Sequence, residues 1–258
     1  MRIKVAGFTG MLGQAVLAAA VHASHEASPL AVRVNDDLPV RFGTDVIINC
    51  AGIVKGRVES PESYIRVNSL LPWRLAEACE RVGARLIHVS TDCVFDGLPG
   101  PHSEDDPPAP IELYGRSKLV GEVDHPHLTI RTSFIGEGKR GLLAELRQVS
   151  QLGLSYRASL NQRWTGHCVQ WIAWLLVQLA ILPSISGLLH VPGTEMNRFA
   201  LVSDLRKELG LNLEIKSVSN RLVIDRRLIS TRWAELGLPK LPDWTEELAC
   251  LQQNRSVW

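Results

Sequence analysis

Residues 2–13 read RIKVAGFTGMLG, and this stretch decides the fold class. The first five residues alternate polar and apolar side chains, as a short strand does, and residues 11–21 have the alanine- and leucine-rich composition of a helix. Gly7, Gly10 and Gly13 permit a tight turn and a close approach of the backbone to a pyrophosphate, for which a helix N-terminus supplies N–H donors. The stretch predicts a dinucleotide-binding unit; the alternative is an ordinary strand-to-helix turn.

The pattern that follows extends this unit into a sheet. Apolar or β-branched stretches predict strands at residues 30–34, 45–49, 85–89 and 128–131, with helices at 61–82 and 114–123. Strands that alternate with helices imply an α/β fold with a doubly wound parallel sheet of the Rossmann type. We divide the chain into a domain of residues 1–136 and a small α/β C-terminal substrate lobe of residues 137–258, whose tail is expected to pack back onto the first domain.

The chain is short at one edge of the predicted sheet. It has 258 residues, and only ten lie between Val34 and Asp45. A parallel crossover needs about a dozen residues or more, so a further strand with its helix does not fit there. We therefore expect an abbreviated sheet between the second and fourth strands. Since this edge would normally surround the adenosine end of a dinucleotide, weak cofactor binding is also expected.

Composition excludes several classes of protein. A formal net charge of +1 argues against a nucleic-acid protein held by phosphate contacts, and 45% apolar residues are too many for a disordered chain. Five widely spaced cysteines argue against a disulfide framework or a structural metal and favour a reducing, cytoplasmic setting. The apolar stretch Trp171–Leu182 is shorter than the roughly 20 residues that span a bilayer. Residues 1–24 also resemble a signal peptide, but the glycine spacing favours the strand–turn–helix interpretation.

The position that reads the adenosine ribose lies roughly 20 residues after the glycines. Counted from Gly13 it is Arg33, and an arginine accepts a 2′-phosphate, which favours NADP(H) over NAD(H). Asp36 and Asp37 follow closely, so a slip of three residues would reverse this preference. An exposed arginine at a strand end is the plain alternative.

Tyr114 and Lys118 have a Tyr-x-x-x-Lys spacing, which places them ~5–6 Å apart at Cβ on one face of a helix. A lysine ammonium beside a phenol favours the phenolate and lowers the tyrosine pKa from about 10. Such a tyrosine can transfer a proton near neutral pH. The same spacing also occurs on ordinary solvated helix faces, so its meaning depends on the motifs around it.

Polar side chains follow two of the predicted buried strands. Ser90 and Thr91 end one strand, and Asn49-Cys50-Ala51-Gly52 ends another. Ligands of open parallel sheets bind beyond the carboxyl ends of the strands. A hydroxyl at that edge can hydrogen-bond a substrate carbonyl, and a cofactor can pass the second strand end. The alternatives are a hydroxyl that caps a loop and an asparagine that serves a turn.

These motifs together resemble the extended short-chain dehydrogenase/reductases. The likeness is carried by the glycine run, Asn49–Gly52, Ser90-Thr91-Asp92-Cys93-Val94-Phe95, the Tyr114/Lys118 spacing and Arg131-Thr132-Ser133. Within that superfamily the chain is most similar to the dTDP-4-dehydrorhamnose reductases and related nucleotide-sugar reductases. The resemblance covers residues 1–135 well and extends more loosely to residues 225–231 and 241–244.

The resemblance implies roles for the matching residues. Tyr114 would protonate the C4 keto oxygen of a nucleotide-activated 4-keto-6-deoxy sugar as NAD(P)H delivers a hydride, Lys118 would hold the nicotinamide ribose, and Thr91 would orient the carbonyl. The implied cofactor-binding set is Gly7, Thr9, Gly10, Met11, Leu12, Gly13, Arg33, Asn49, Cys50, Ala51, Gly52, Ser90, Tyr114 and Lys118. The implied substrate-binding set is Thr91, Asp92, Cys93, Arg163 and Trp164. Polysaccharide biosynthesis is the implied setting, no nucleic acid or membrane partner is expected, and a homodimer is left open.

Two other functions remain open at this point. In related 4,6-dehydratases a glutamate comes directly after Thr-Asp and acts as the base. Cys93 stands at that position here, so the base that a dehydratase needs is missing from the motif. GDP-L-fucose synthase, an epimerase/reductase, has an acid/base cysteine at a similar place, and a thiol of lowered pKa can exchange protons beside a carbonyl. The alternative for Cys93 is a small buried residue. Some family members are nucleotide-binding regulatory subunits without catalytic activity, which is the third candidate.

Overall fold

The computed structural model describes residues 1–32, 38, 43–54, 59–219 and 223–253. The strands in chain order are β1 (Arg2–Ala6), β2 (Glu26–Leu30), β3 (Val46–Asn49), β4 (Arg85–Thr91), β5 (Leu128–Thr132), β6 (Phe134–Ile135), β7 (Ser155–Ser159), β8 (Gln162–Trp164), β9 (His167–Cys168), β10 (Gly187–His190), β11 (Met196–Asn197), β12 (Glu214–Val218) and β13 (Ile224–Asp225). The α-helices are α1 (Met11–His22), α2 (Pro61–Tyr64), α3 (Leu71–Val82), α4 (Leu113–Val120), α5 (Leu142–Gln151), α6 (Val169–Ala180), α7 (Arg198–Glu208) and α8 (Trp244–Gln253).

Six parallel strands form the central sheet, in the order β10-β5-β4-β3-β1-β2. This topology confirms the predicted Rossmann-type α/β fold. Among the described residues, no strand pairs with the outer edge of β2, the edge where the sequence predicts an abbreviated sheet. The predicted second strand was placed four residues too late. It starts at Glu26, whose backbone N–H donates to the carbonyl of Met1 and so sets its register beside β1 immediately after α1.

Side chains of the sheet alternate between two helical layers. Ile48 packs into a core shared with α1 and α6, whereas Ile47 packs into a core shared with α3. Trp171 of α6 is only 1% exposed, so the long apolar stretch of the sequence is a core helix. Across the residues that the structure describes, no helix combines the length and the hydropathy needed to span a membrane.

Arg85, at the start of β4, joins the sheet to the end of α6. Its Nη1 donates to the carbonyls of Leu179 and Leu182, at 2.9 and 3.0 Å, and its Nη2 donates to the carbonyl of Ile185. These hydrogen bonds tie the buried guanidinium to the last turn of α6 and to the segment that follows it.

Residues beyond 136 contribute to the same central core. Strand β10 pairs with β5, with Leu189 opposite Ile130, and both residues are fully buried. The remaining strands form small sheets, of which β11-β8-β13 approaches the residues that follow β4. There the backbone N–H of Asp225 donates to the carbonyl of Gly97 at 2.9 Å. The boundary between residues 136 and 137 stays a prediction.

The predicted helix at residues 61–82 comprises three consecutive segments. The Ser60 hydroxyl accepts the Ser63 N–H at the start, and Gly83 ends α3 with φ of +71°. Between α2 and α3, residues Ile65–Leu70 are π-helical, a rare geometry that is frequent at functional sites. This segment carries Asn68, which is fully buried and donates from Nδ2 to the Ser117 hydroxyl of α4 at 3.0 Å.

Candidate active site

Two glycines let β1, α1 and the loop after β3 approach one another closely. Gly7 has φ of +74°, and a Cβ there would lie 2.4 Å from the backbone nitrogen of Ala51. A Cβ on Gly13 would lie 2.3 Å from the carbonyl oxygen of Gly7. A Cβ on Gly10 would meet only that same oxygen, at 3.3 Å. The first and third glycines are therefore required by backbone packing, and the second lies at the open side of the turn.

The N-terminus of α1 is available to an anion. No side chain caps it, no acidic residue occupies its first turn, and Thr9 and Gly10 are exposed beside it. Its first N–H groups and the positive end of its dipole therefore suit a pyrophosphate. The Leu12 side chain is in the core, so only its backbone faces this site, and the Met11 thioether lies against Gly136.

The Asn49 side chain organises the loop after β3. It is fully buried, its Oδ1 accepts the backbone N–H of Ala51 at 3.1 Å, and its Nδ2 lies 3.0 Å from His88 Nδ1. Cys50 and Ala51 are half-buried next to Gly7, and Gly52 is exposed. The predicted Asn49–Gly52 segment thus lies beside the glycine turn, and the Asn49 side chain stabilises the loop after β3.

Thr91, Asp92 and Cys93 form a tight turn at the carboxyl end of β4. The Thr91 hydroxyl donates to Asp92 Oδ1 at 3.1 Å and accepts the backbone N–H of Cys93 at 3.2 Å. Burial raises the pKa of Asp92, although the nearby Arg226 charge opposes this shift. The turn holds a hydroxyl, a carboxyl and a thiol at the sheet edge where the sequence predicts them.

Tyr114 lies in the first turn of α4, and its side chain faces the Thr91–Cys93 turn at the end of β4. Its phenol lies near Thr91, Cys93, Asp92 and Tyr64. Burial raises the pKa of Tyr114, and the neighbouring groups that would carry negative charge add to the rise. The sequence-based expectation of a lowered tyrosine pKa is therefore wrong for this geometry. The phenol is protonated at neutral pH, as a proton donor must be.

Lys118 lies one turn further along α4 and is almost fully buried. Its Nζ donates to the carbonyl of Val89 at 2.7 Å and lies 3.2 Å from His88 Nε2. Burial lowers the pKa of Lys118 to about 8.

Ser90 points to the α4 side of the sheet and away from Thr91. Its hydroxyl donates to Glu122 Oε1 at 2.6 Å, and Glu122 also forms a buried ion pair with Arg131 at 2.7 Å. The Ser90 side chain is therefore committed to a structural network, which leaves only its backbone for the predicted cofactor contact.

Gly115 within α4 and Gly121 directly after it, which were not expected to have a role, fix the position of Tyr114 and Lys118. A Cβ on Gly115 would lie 2.1 Å from the carbonyl of Cys93, and one on Gly121 would lie 1.9 Å from the carbonyl of Asn68. The helix is therefore packed directly against the turn after β4 and against the π-helical segment. Gly115 directly follows Tyr114, and this position in the sequence is the signal that could have identified its packing role.

A cavity of about 330 Å³ opens beside the turn after β4. Its lining brings the predicted Asp92, Cys93, Arg163 and Trp164 together with residues to which the sequence assigned no role. The latter are Ser133, Phe134, Ile135, Leu142, Gln162, Arg198, Leu201, Ile224 and Arg226. Three arginines and one carboxylate give this cavity a positive balance, which suits an anionic ligand.

Cys93 is held in this cavity as a neutral thiol. Arg226 donates from Nη1 to its Sγ at 3.7 Å and from Nε to the carbonyl of Phe95 at 3.0 Å. Burial nevertheless raises the pKa of Cys93 to about 12, and the Asp92 charge adds to the rise. A proton-abstracting base needs the opposite shift, so the geometry gives the epimerase interpretation no support.

The residues present fit a nicotinamide dinucleotide. The glycine turn and the uncapped α1 form a cradle for its pyrophosphate, and the Lys118 amine lies near the sheet edge where its ribose would bind. The predicted adenosine-side residue, Arg33, lies outside the described residues.

Fold and site together define a class of protein. A parallel sheet with a glycine turn, a tyrosine–lysine pair and an adjacent substrate cavity is the arrangement expected of an extended short-chain dehydrogenase/reductase. The family follows from comparison with known proteins. Residues 1–255 match the model of the RmlD substrate binding domain, and the chain belongs to this family.

Individual relatives agree with this assignment. The chain is 31% identical over 278 residues to a dTDP-4-dehydrorhamnose reductase of Mycobacterium tuberculosis, covering 96% of this chain and 91% of that protein. A dTDP-4-dehydrorhamnose reductase from Bacillus anthracis, crystallised in complex with NADP, has the same fold, with a TM-score of 0.86, 19% identity and coverage of 98% and 99%. A shorter match, 36% identical over 138 residues, joins 47% of this chain to 41% of methionine adenosyltransferase 2 subunit beta from Pongo abelii.

Proposed function

We propose that this protein is an NAD(P)H-dependent reductase of a nucleotide-activated 4-keto-6-deoxy sugar, as the dTDP-4-dehydrorhamnose reductases are. One observation carries the proposal. The phenol of Tyr114, which is protonated at neutral pH, lies near Asp92 and Cys93, and these two residues line a cavity that also holds three arginines. The family assignment and the likeness over 96% of the chain support the same conclusion.

The chain's own residues supply the proton side of the reduction. Tyr114 donates its proton to the keto oxygen, and the Thr91 hydroxyl turns from Asp92 Oδ1 to donate the hydrogen bond that orients this oxygen. Lys118 holds the cofactor ribose from the buried side of the site. When bound, the reduced nicotinamide supplies the hydride. The raised pKa of Tyr114 means that its phenolate takes a proton back readily after each turnover.

The cavity supports a nucleoside diphosphate sugar as the substrate class. Arg226, Arg198 and Arg163 approach it from three different segments, and each keeps part of its guanidinium for a ligand. Guanidinium groups suit the paired oxygens of a diphosphate, and Trp164 offers an aromatic surface beside them.

NADP(H) is the proposed cofactor in preference to NAD(H), since Arg33 stands at the position expected to meet a 2′-phosphate. The dissociation constants of NADPH and NADH, measured by titration at one ionic strength, test this preference. Tighter binding of NADH would reverse it. The widely spaced cysteines support a reducing, cytoplasmic setting for the enzyme.

A homodimer is the proposed assembly state. Leu70, Trp73 and Val120 are about half exposed on the α3–α4 side, and Trp73 Nε1 donates to the carbonyl of Val120 at 2.7 Å, which joins both helices in one apolar face. A second copy of this chain would cover that face by two-fold symmetry. Light scattering should give a dimer for the native protein and a monomer for Trp73→Glu.

The similarity to methionine adenosyltransferase 2 subunit beta supports a second candidate function, that of a non-catalytic subunit. To decide between the two functions, the purified protein is incubated with NADPH and 4-keto-6-deoxy sugars activated by dTDP, GDP or UDP. The absorbance of the reduced nicotinamide is followed over time. A sugar-dependent loss of absorbance supports the reductase. NADPH binding without turnover of any of these sugars would favour the subunit role.

A further inference from the structure

Four hydrogen-bonding groups form a chain beneath the catalytic lysine. The backbone N–H of Ala51 donates to Asn49 Oδ1, and Asn49 Nδ2 lies 3.0 Å from His88 Nδ1. His88 Nε2 lies 3.2 Å from Lys118 Nζ, which in turn donates to the carbonyl of Val89. All three side chains are buried, so each contact must pair a donor with an acceptor.

The direction of this chain is fixed at its Ala51 end. A backbone N–H can only donate, so the Asn49 oxygen faces Ala51 and the Asn49 amide nitrogen faces His88. An amide nitrogen also only donates, so His88 Nδ1 must be the unprotonated nitrogen. A neutral imidazole then carries its single proton on Nε2, towards Lys118.

This assignment leaves Lys118 as the acceptor. An ammonium at the same position has no lone pair and would set one N–H against another. A neutral amine accepts from His88, donates to Val89 and keeps one N–H for a ligand. We propose that His88 is a positioning residue whose Nε2–H, oriented by Asn49, binds the Lys118 amine and favours its neutral form over the ammonium in the cofactor-free protein.

Other observations agree with this assignment. Burial lowers the pKa of Lys118 to about 8, and burial also lowers the pKa of His88 well below its usual range. The other titratable groups near the amine are Cys50, whose pKa burial raises to about 12, and Glu122, which is paired with Arg131. Tyr114, one turn earlier on α4, is protonated and adds no negative charge near the amine.

The arrangement has a consequence for cofactor binding, and this part rests on the proposed function. Ribose hydroxyl oxygens and a pyrophosphate favour an ammonium over an amine at Lys118. Protonation requires the amine to give up the His88 hydrogen bond, because both groups would then be donors. Binding of the nucleotide above the Lys118 pKa is therefore expected to take up a proton from the buffer.

The first test uses cofactor-free protein and does not depend on function. Long-range proton–nitrogen NMR of the imidazoles should give an unprotonated Nδ1 and a protonated Nε2 for His88. The ¹³Cε resonance of Lys118, assigned with Lys118→Arg, should titrate well below an ordinary lysine. A His88 protonated on Nδ1, or an ordinary Lys118 titration, would overturn the proposal.

Two variants sharpen the test. His88→Asn keeps an acceptor for Asn49 but has no N–H towards Lys118, so the Lys118 pKa should rise by about one unit or more. His127→Asn, the same change at another buried histidine, should leave it unchanged. If His88→Asn fails to fold, Asn49→Asp serves instead, because its carboxylate draws the imidazole proton onto Nδ1. The same Asn49→Asp change in His88→Leu measures the plain charge effect, and equal Lys118 shifts in both backgrounds would overturn the proposal.

The second test measures proton uptake upon binding. Calorimetric titration with NADPH near pH 9, in two buffers of different ionisation enthalpy, should give an uptake of about one proton per nucleotide. His88→Asn should lower this value while His127→Asn keeps it. Binding without proton uptake would contradict the coupling. Absence of NADPH binding would count against the proposed function, and the NMR result would still decide the role of His88.

Discussion

The two sides of the candidate site are built in different ways. On the α4 side, Tyr114 and Lys118 lie on one short helix and Thr91 ends the strand beside it; Thr91 and Lys118 are buried, and Tyr114 is half-buried. On the cavity side, Arg163 and Arg226 come from segments that are distant in the chain. Proton transfer thus depends on groups fixed by local spacing, and substrate recognition on groups gathered by the tertiary fold.

The sides also differ in how firmly their charges are held. Lys118 has a defined set of hydrogen bonds in a dry environment. Arg163 has a side chain 47% exposed, and its ion pair with Glu195 spans 3.2 Å. Exposed ion pairs contribute little to stability, so such arginines can rearrange around a ligand at low cost. Changes on the α4 side should therefore affect turnover and pH dependence, and changes on the cavity side should affect substrate affinity.

The largest expected effect is that of Tyr114→Phe. Loss of the proton donor should lower kcat about 10²- to 10⁴-fold, with NADPH affinity unchanged. Tyr156→Phe removes a hydroxyl that binds Arg198 on the cavity side and should change mainly KM, by less than about tenfold. Steady-state kinetics of both variants measure the contrast. Equal losses of kcat in the two would end the distinction between the sides.

Gly7→Ala tests the cradle that both sides share. The new Cβ would meet the backbone of Ala51, so we expect a loss of about 3 kcal/mol or more in the free energy of unfolding and a loss of cofactor binding. Gly83→Ala is the matched control, because φ is +71° there and nothing lies within 4 Å of a Cβ. It should cost only about 1 kcal/mol. Denaturant unfolding measures both, and similar losses would mean that φ alone matters.

Arg226→Met tests the cavity side. Removal of a guanidinium that faces a diphosphate should raise KM for the nucleotide sugar about 10- to 100-fold, with a smaller effect on kcat and none on NADPH affinity. Arg81→Ala, an exposed arginine paired with Glu77 on α3, is the control and should leave KM unchanged. An Arg226→Met enzyme with native KM would remove the diphosphate from the role proposed for this cavity.

The smallest effect expected is a pH dependence on the α4 side. The folded-state pKa of Lys118 is lowered from 10.5 to about 8, so between these values the unfolded chain binds a proton that the folded protein does not. Native stability should therefore rise with pH through this window relative to Lys118→Met, by roughly 1–3 kcal/mol. Thermal melting of both proteins between pH 7 and 10 measures the difference. A difference that stays constant with pH would show that Lys118 titrates normally.

Much of the fold and half of the site could be predicted from local patterns. Alternating strands and helices predicted the parallel sheet, and the spacing of Gly7 and Gly13 predicted the turn that packs on Ala51. The start of β2 was predicted four residues too late, because its register depends on Met1 of the neighbouring strand and not on its own residues. Ser90 was assigned to the cofactor, but alternation along β4 turns its hydroxyl towards Glu122.

The sequence by itself determined which chemistry this protein can carry out, because Tyr114 and Lys118 lie one helical turn apart and Thr91 lies at the end of a strand. Only the tertiary structure decided the state of these groups. Burial, which no spacing reveals, raises the pKa of Tyr114 and lowers that of Lys118. The packing of separate segments also places His88 beside Lys118 and gathers three distant arginines at one cavity.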